Sequence, residues 1–294
     1  PGVVWASVTG NGPADPVVTA RIARTVVGVC TGAALGLAGT VMQGLTRNPL
    51  ADPGVLGINA GASLAMVLAI SLGVSALTGY VWFALLGAAV TMLVVYGVAG
   101  LGGRRADPVR LVIAGAAVTA GVTSWTTTIL LTQQATLDTF RFWQVGTIAG
   151  RGLDVVQQVA PLLLVGVLLA LVSTRALDIM ALGDDAAVTL GRRLGRDRLI
   201  AGVAVVLLAG CATALAGPLA FVALLAAHQA RMLMGPGHLR QAAAAPGIGA
   251  VLILVADTVG RVVLPPAEVQ VGVMVAVIGA PVFLVLLGRG WARV

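Results

Sequence analysis

The sequence predicts an all-α, polytopic membrane protein, and three observations lead there. Of 294 residues, 59% are apolar and only 10% are charged, against about 25% charged in a soluble globular domain. The 39 Gly and 13 Pro are scattered through apolar stretches, so the low charge does not mark a disordered or collagen-like chain. The gaps between successive charged side chains reach the roughly 20 helical residues needed to cross a hydrocarbon core of about 30 Å. These runs do not alternate polar and apolar residues, as the strands of a membrane barrel would. An ordinary cytoplasmic enzyme is excluded on composition alone.

Taken in order, the charge-free intervals allow about nine spans. Residues 24–47 hold one, residues 52–104 hold two broken at 75–79, residues 110–138 hold one, and residues 154–175 hold a fifth. The run 198–231 is too long for one helix, and Gly217-Pro218 near its middle removes a donor and breaks the ladder, giving two spans. The last two run over residues 241–264 and 270–288. The whole of 1–294 is expected to be one transmembrane domain, with 174–198 as its polar excursion. The opening stretch 1–16 is polar and Gly-rich, without the basic region and apolar core of a cleaved signal peptide. An odd helix count with no initial Met points to a further helix upstream of Pro1.

All 18 basic residues are Arg, and 11 acidic residues leave a net charge of +7. In a soluble protein that surplus would suggest a nucleic-acid partner, but here it sets orientation and no nucleic acid is expected. Grouped by alternate loops, thirteen Arg (47, 104, 105, 110, 175, 192, 193, 196, 198, 231, 240, 289, 293) lie on one side and five (21, 24, 141, 151, 261) on the other. The richer side is the cytoplasm, so Pro1 is outside and Val294 inside the cytoplasmic (inner) membrane.

Several chemistries have no residues to run them. Without Lys there is no Walker A phosphate loop and no Schiff base. His228 and His238 lack zinc-protease spacing, and Cys30 and Cys211 lie in separate apolar spans as small hydrophobes, so neither a metal site nor catalytic residues are expected. Ser63, Ser124 and His228, the raw material of an intramembrane hydrolase, fall in separate spans. Asp257 is the one acidic residue an ion-coupled carrier could use, and Arg261 one turn later reads instead as a local ion pair.

Three segments stand out. In Thr46-Arg47-Asn48-Pro49-Leu50-Ala51-Asp52-Pro53-Gly54, two prolines each preceded by a turn former make an ordered reversal between spans, with or without a role of its own. The polar excursion 174–198 contains Gly183 and Gly191 around a short helix. Asp184 and Asp185 there suit capping and the helix dipole, and Ala186, Ala187 and Leu190 fall near one face suited to a partner's groove. Finally Arg21 and Arg24, three apart on one helix face, share the external side with Arg261. They read either as headgroup anchors or as a patch for an acidic partner.

These motifs, in this order over essentially the whole chain, resemble the permease subunits of type II ABC importers for ferric siderophores, haem and cobalamin. The likeness rests on Arg21-Ile22-Ala23-Arg24, Gly39-Thr40-Val41-Met42-Gln43-Gly44, the Asn48-Pro49-Leu50 turn and Leu182-Gly183-Asp184-Asp185-Ala186-Ala187. It continues through Leu190-Gly191, Gly217-Pro218, Ala256-Asp257, Pro266-Ala267-Glu268 and Gly279-Ala280-Pro281. The chain differs from the family pattern at Ala223, Ala227-His228-Gln229 and Gln270. The resemblance implies a ten-helix subunit, of which about nine helices are here. It further implies pairing with a second permease subunit as homo- or heterodimer, and no covalent chemistry. Gly183, Asp184, Asp185, Ala186, Ala187, Leu190 and Gly191 would seat on a separate ATPase subunit that holds ATP and Mg. Arg21, Arg24 and Arg261 would meet acidic residues of a soluble substrate-binding protein, while Asn48 and Leu50 would help close the cytoplasmic end of the pathway. The cargo implied is a ferric siderophore, with haem or cobalamin as alternatives.

Overall fold

A computed structural model describes residues 16–74, 77–100 and 108–288. The expectations for Pro1, Arg104, Arg105, Arg289, Arg293 and Val294 lie outside the described residues, as do residues 75 and 76 in the break between the second and third spans. Among the described residues, eleven helices and one 3-10 turn follow in order. They are α1 (Pro16–Thr46), the 3-10 turn Pro53–Leu56, α2 (Ile58–Ser71), α3 (Leu77–Ala99), α4 (Pro108–Thr132), α5 (Gln134–Gln144) and α6 (Leu153–Met180). Then come α7 (Asp184–Thr189), α8 (Leu194–Ala216), α9 (Val222–Met234), α10 (His238–Val263) and α11 (Val271–Gly288).

Each expected span forms a helix, but their lengths differ. Six helices, α1, α3, α4, α6, α8 and α10, are long and apolar enough to cross a membrane. The second span, α2, has 14 residues, and α9 has 13, about 20 Å each at 1.5 Å per residue. In α9 the missing length is taken by an extended stretch that begins at Gly217, φ 80°, and ends at Phe221, φ 66°. Non-helical backbone at such depth survives where protein surrounds it. Here Val222, Ala223, Leu224, Leu225, Ala226 and Ala227 are all buried, and Thr147 donates its N–H to the Ala216 carbonyl, 2.8 Å.

α5 is an element that the charge-free intervals do not give: it starts inside the 110–138 interval and runs past it. It is a short amphipathic helix whose buried Phe140 and Trp143 stack with centroids 5.7 Å apart. Asp138 and Arg141 pair on its exposed side at 3.2 Å.

The bundle is built around α1. From Ala34 to Thr46 every residue of α1 is buried, and it packs against α6, α8, α9 and α10. Its closest partner is α10, and glycine makes the approach possible. A Cβ on Gly32 would stand 2.6 Å from the Ala250 Cα, and one on Gly36 would stand 2.8 Å from the Ala245 carbonyl carbon. Gly249 faces Gly32 in return. In lipid, where apolar side chains gain little by leaving their surroundings, small residues that let backbones touch are the main source of helix association. α8 is the second buried helix, whereas α4 and α6 leave most of their surface outside the chain.

Free Cys30 and Cys211 sit in α1 and α8, and Cys211 is fully buried. Ser124 donates its hydroxyl to the Ala120 carbonyl at 2.9 Å, a bond within its own helix. Gly32→Val is expected to overfill the crossing and cost about 1–3 kcal/mol. It should be seen as loss of monodisperse protein in detergent and a lower unfolding temperature, while Gly121→Val, where nothing lies within 4 Å of an added Cβ, should leave both unchanged.

Candidate functional site

Two ionic clusters mark the ends of α1. At its C-terminal end the chain leaves the helix through Arg47, φ 51°, into the Asn-Pro-Leu turn. Asn48 Oδ1 accepts from the Leu50 N–H at 2.9 Å, and the Ala51 N–H donates to the Asn48 carbonyl at 3.1 Å. Asp52 Oδ1 then caps the 3-10 turn through the Gly54 N–H, 2.8 Å. The two X-Pro pairs therefore fix a rigid reversal, with Asn48 and Leu50 on its exposed side. Gln43 Nε2, deeper in α1, donates to the Leu224 carbonyl of α9 at 3.3 Å.

The predicted coupling segment lies against this turn. α7 is preceded by Gly183 at φ 110°, which makes no side-chain cap. The expected capping by Asp184 and Asp185 is absent: both lie in the first turn, where they meet the helix dipole. The carboxylate of Asp184 instead bridges two helices, pairing with the Arg47 guanidinium just beyond α1 and with Arg198 Nη2 of α8 at 2.7 Å. Burial, and after it the charge of Arg198, hold the Arg47 guanidinium below its usual pKa. Nearby, Arg192 grips Asp197 through two bonds of 2.9 Å. Asp178 at the end of α6 takes both the N–H and the Nδ1 of His238, at 2.9 and 2.6 Å.

The face expected of α7 needs correcting. Ala187 is fully buried against its own chain, and Ala186 is half-buried. A six-residue helix has under two turns, and the register of its capping glycine turns Ala187 inward. The apolar side chains left outside are Leu182, Val188 and Leu190, at 69%, 51% and 60% exposure. Leu182 belongs to the quoted motif without having been given a role, and Val188 carries no signal beyond its hydropathy. Gly191, φ 77°, ends the excursion in a conformation that favours glycine.

At the other end of α1, Arg24 is already engaged. Its Nε and Nη2 hold Asp257 of α10 at 2.7 to 3.1 Å, and its Nη1 meets Glu268 at 2.8 Å. Arg261 approaches the second oxygen of Asp257 at 3.3 Å. The Asp257 side chain is 5% exposed and that of Arg24 19%, so removing either would leave a buried charge and cost about 3 kcal/mol. Asp257 is thus paired as the sequence suggests with Arg261, and more tightly with Arg24, 233 residues away. Arg21 stands apart, exposed on α1 beside a groove lined by Val17, Ile22 and Val26. No group of three or more His, Cys, Asp or Glu able to hold a metal ion occurs among the described residues.

A helical bundle with a buried break before α9 and ionic clusters at the two ends of its central helix fits a membrane transport subunit. The family model of the FecCD transport family matches residues 1–289, and the chain belongs to that family. It is a permease subunit and not an enzyme.

Among its relatives, the ferric enterobactin transport system permease protein FepD of Escherichia coli (strain K12) is 43% identical over 93% of this chain and 82% of its own length. The probable siderophore transport system permease protein YfiZ of Bacillus subtilis (strain 168) is 36% identical over 92% and 81%. The fold matches that of a metal-chelate type ABC transporter in an inward-facing conformation. The TM-score is 0.86 at 24% identity, covering 98% of this chain and 97% of that one.

Because Ala187 faces inward, Ala187→Leu is expected to lower folded yield and thermal stability by about 1–3 kcal/mol. Leu190→Asp should leave the isolated subunit's unfolding temperature within experimental error.

Proposed function

We propose that this chain is the permease subunit of an ATP-driven importer for a ferric siderophore or related iron chelate. Two permease subunits, in a homo- or heterodimer, enclose the pathway across the cytoplasmic membrane. Separate ATPase subunits bind ATP and Mg, and a soluble substrate-binding protein delivers the cargo on the outer side. The Arg47 end faces the cytoplasm, together with the C-terminus, as the arginine distribution requires. The relatives named above support the cargo class: ferric enterobactin is carried by the protein at 43% identity.

The observation that carries the mechanism is Asp184 held between Arg47 and Arg198. α7 seats on the ATPase through Leu182, Val188 and Leu190, and its carboxylate grips the turn that bears Asn48 and Leu50. ATP binding shifts the equilibrium between inward- and outward-facing states by favouring one placement of α7. Asp184 pulls Arg47 with it, so the turn at the cytoplasmic mouth opens or closes as α7 moves. Gly183 and Gly191 let α7 pivot, while Asp185 remains solvated on its rim.

At the outer end, Arg21, Arg24 and Arg261 receive carboxylates of the binding protein. Arg21 and the half-exposed Arg261 are accessible at once. Arg24 joins only as Glu268 yields, since Asp257 already fills its other edge.

Uptake of a radiolabelled ferric siderophore into proteoliposomes holding the permease, ATPase and binding protein tests the assignment. ATP-dependent accumulation is expected; ATPase activity stimulated by the binding protein without iron uptake would replace the cargo with haem or cobalamin. Failure of the subunits to associate would overturn the importer. Asp184→Asn should cut uptake by about fivefold at an unchanged rate of ATP hydrolysis, the size of a weak coupling energy. Equal losses in both would assign Asp184 to ATPase seating alone. Arg21→Glu should weaken docking of the binding protein by about tenfold while sparing ATPase attachment, and unchanged docking removes Arg21 from the contact.

A further inference from the structure

The loop between α5 and α6 carries a cation to which the described residues give no partner. Arg151 is 8% exposed, and no hydrogen bond or ion pair among the described residues engages it. Burial pushes its pKa down, with no acidic group acting in the other direction. Asp138 is taken by Arg141, and Asp154 is exposed and forms no pair with Arg151. A buried guanidinium left in this way is costly unless something outside the chain supplies the counter-charge.

The surroundings show what could do so. Arg151 lines a cavity of about 210 Å³ with Trp143, Tyr80, Phe142 and Met66. Trp143, part of the same lining, has its Nε1 buried without an acceptor. Among the lining hydroxyls, Thr139 donates to the Ala135 carbonyl at 3.2 Å, and Thr147 accepts from the Ala149 N–H at 3.1 Å. A cation and an indole N–H that both lack an acceptor suit a ligand that accepts, and an oxyanion does so. The planar fork of an arginine fits two oxygens of a phosphate in particular.

The cavity's position narrows the source. Arg151 lies two residues before α6, at the end opposite α7. Tyr80 and Trp143 are the aromatic types that collect at the membrane interface. Apolar Met66, Ile70 and Phe142 beside the cation suit an amphiphile better than a free ion. We propose that Arg151 and Trp143 form a site for a phosphate-class anion at this interface, supplied by the headgroup of an anionic phospholipid.

The assembled importer, purified in phosphatidylcholine nanodiscs with graded phosphatidylglycerol, provides the test, read by native mass spectrometry and thermal unfolding. The wild type should retain phosphatidylglycerol over phosphatidylcholine and gain thermal stability from it. Arg151→Gln should weaken that retention by about tenfold, the loss of one charge-assisted contact. Arg151→Lys, which keeps the charge without the planar fork, should keep part of it, and Trp143→Phe, which keeps an aromatic ring but not the N–H, should fall between wild type and Arg151→Gln. A parallel series with inorganic phosphate in phosphatidylcholine separates the sources. Stabilisation of the wild type but not of Arg151→Gln by phosphate alone confirms the anion site and assigns it to the free ion. Equal retention of phosphatidylglycerol by wild type and Arg151→Gln, with no response to phosphate, overturns the proposal. Should Arg151→Gln fail to assemble, unchanged retention in Trp143→Phe overturns it instead.

Discussion

Everything else in the bundle is registered by the backbone contact between α1 and α10. Gly32 and Gly249 face one another where a side chain on either would strike the opposite main chain. Because the helices run antiparallel, fixing this point fixes pairs on both sides of it. Eight residues before Gly32 stands Arg24, and eight residues after Gly249 stands Asp257, which it binds. In the other direction, Gly44 lies under the Nε2 of His238, whose ring is held by Asp178 of α6. A single close crossing therefore decides which charges can meet at one end of the molecule and which helices are joined at the other.

The charges themselves are kept out of the middle. A carboxylate or guanidinium is expensive within the hydrocarbon region, and the ion pairs described here gather near helix ends, with partners supplied by distant parts of the chain. At one end α1 is tied to α10 and to Glu268. At the other, the residue that follows α1 is tied to α7, and through the same carboxylate to α8. α1 is therefore a strut with an ionic fitting at each end, and motion of α7 meets a long helix that is buried throughout its second half.

The cost of charge in lipid is also why so much of the fold was legible in the sequence. Intervals free of charge located every span, and Gly217-Pro218 marked the break before α9. Hydropathy could not give the length of α9, because it cannot tell backbone shielded by protein from backbone exposed to lipid. α5 was missed since its polar and apolar residues mix over only eleven positions, too few to stand out beside the long apolar runs. At the site, the Asn-Pro-Leu turn and the coupling segment were visible as motifs of local turn chemistry. The inward face of Ala187 was not, as six residues define no helical stripe. Nor could spacing reveal that Arg24 meets Asp257 and Glu268, or that Arg47 meets Asp184, since those pairs exist only once the crossing of α1 and α10 and the packing of α8 have been set.

The joint at Asp184 has a further property that follows from its materials. It is made with two arginines, whose charge persists across physiological pH, and with a carboxylate whose side chain is 40% exposed. Mobile ions can reach such a joint, and at physiological ionic strength the screening length is about 8 Å. The link between α7 and α1 is thus open to tuning by salt. Rising salt would therefore loosen the tie between α7 and the end of α1 without touching the buried crossing that holds α1 to α10.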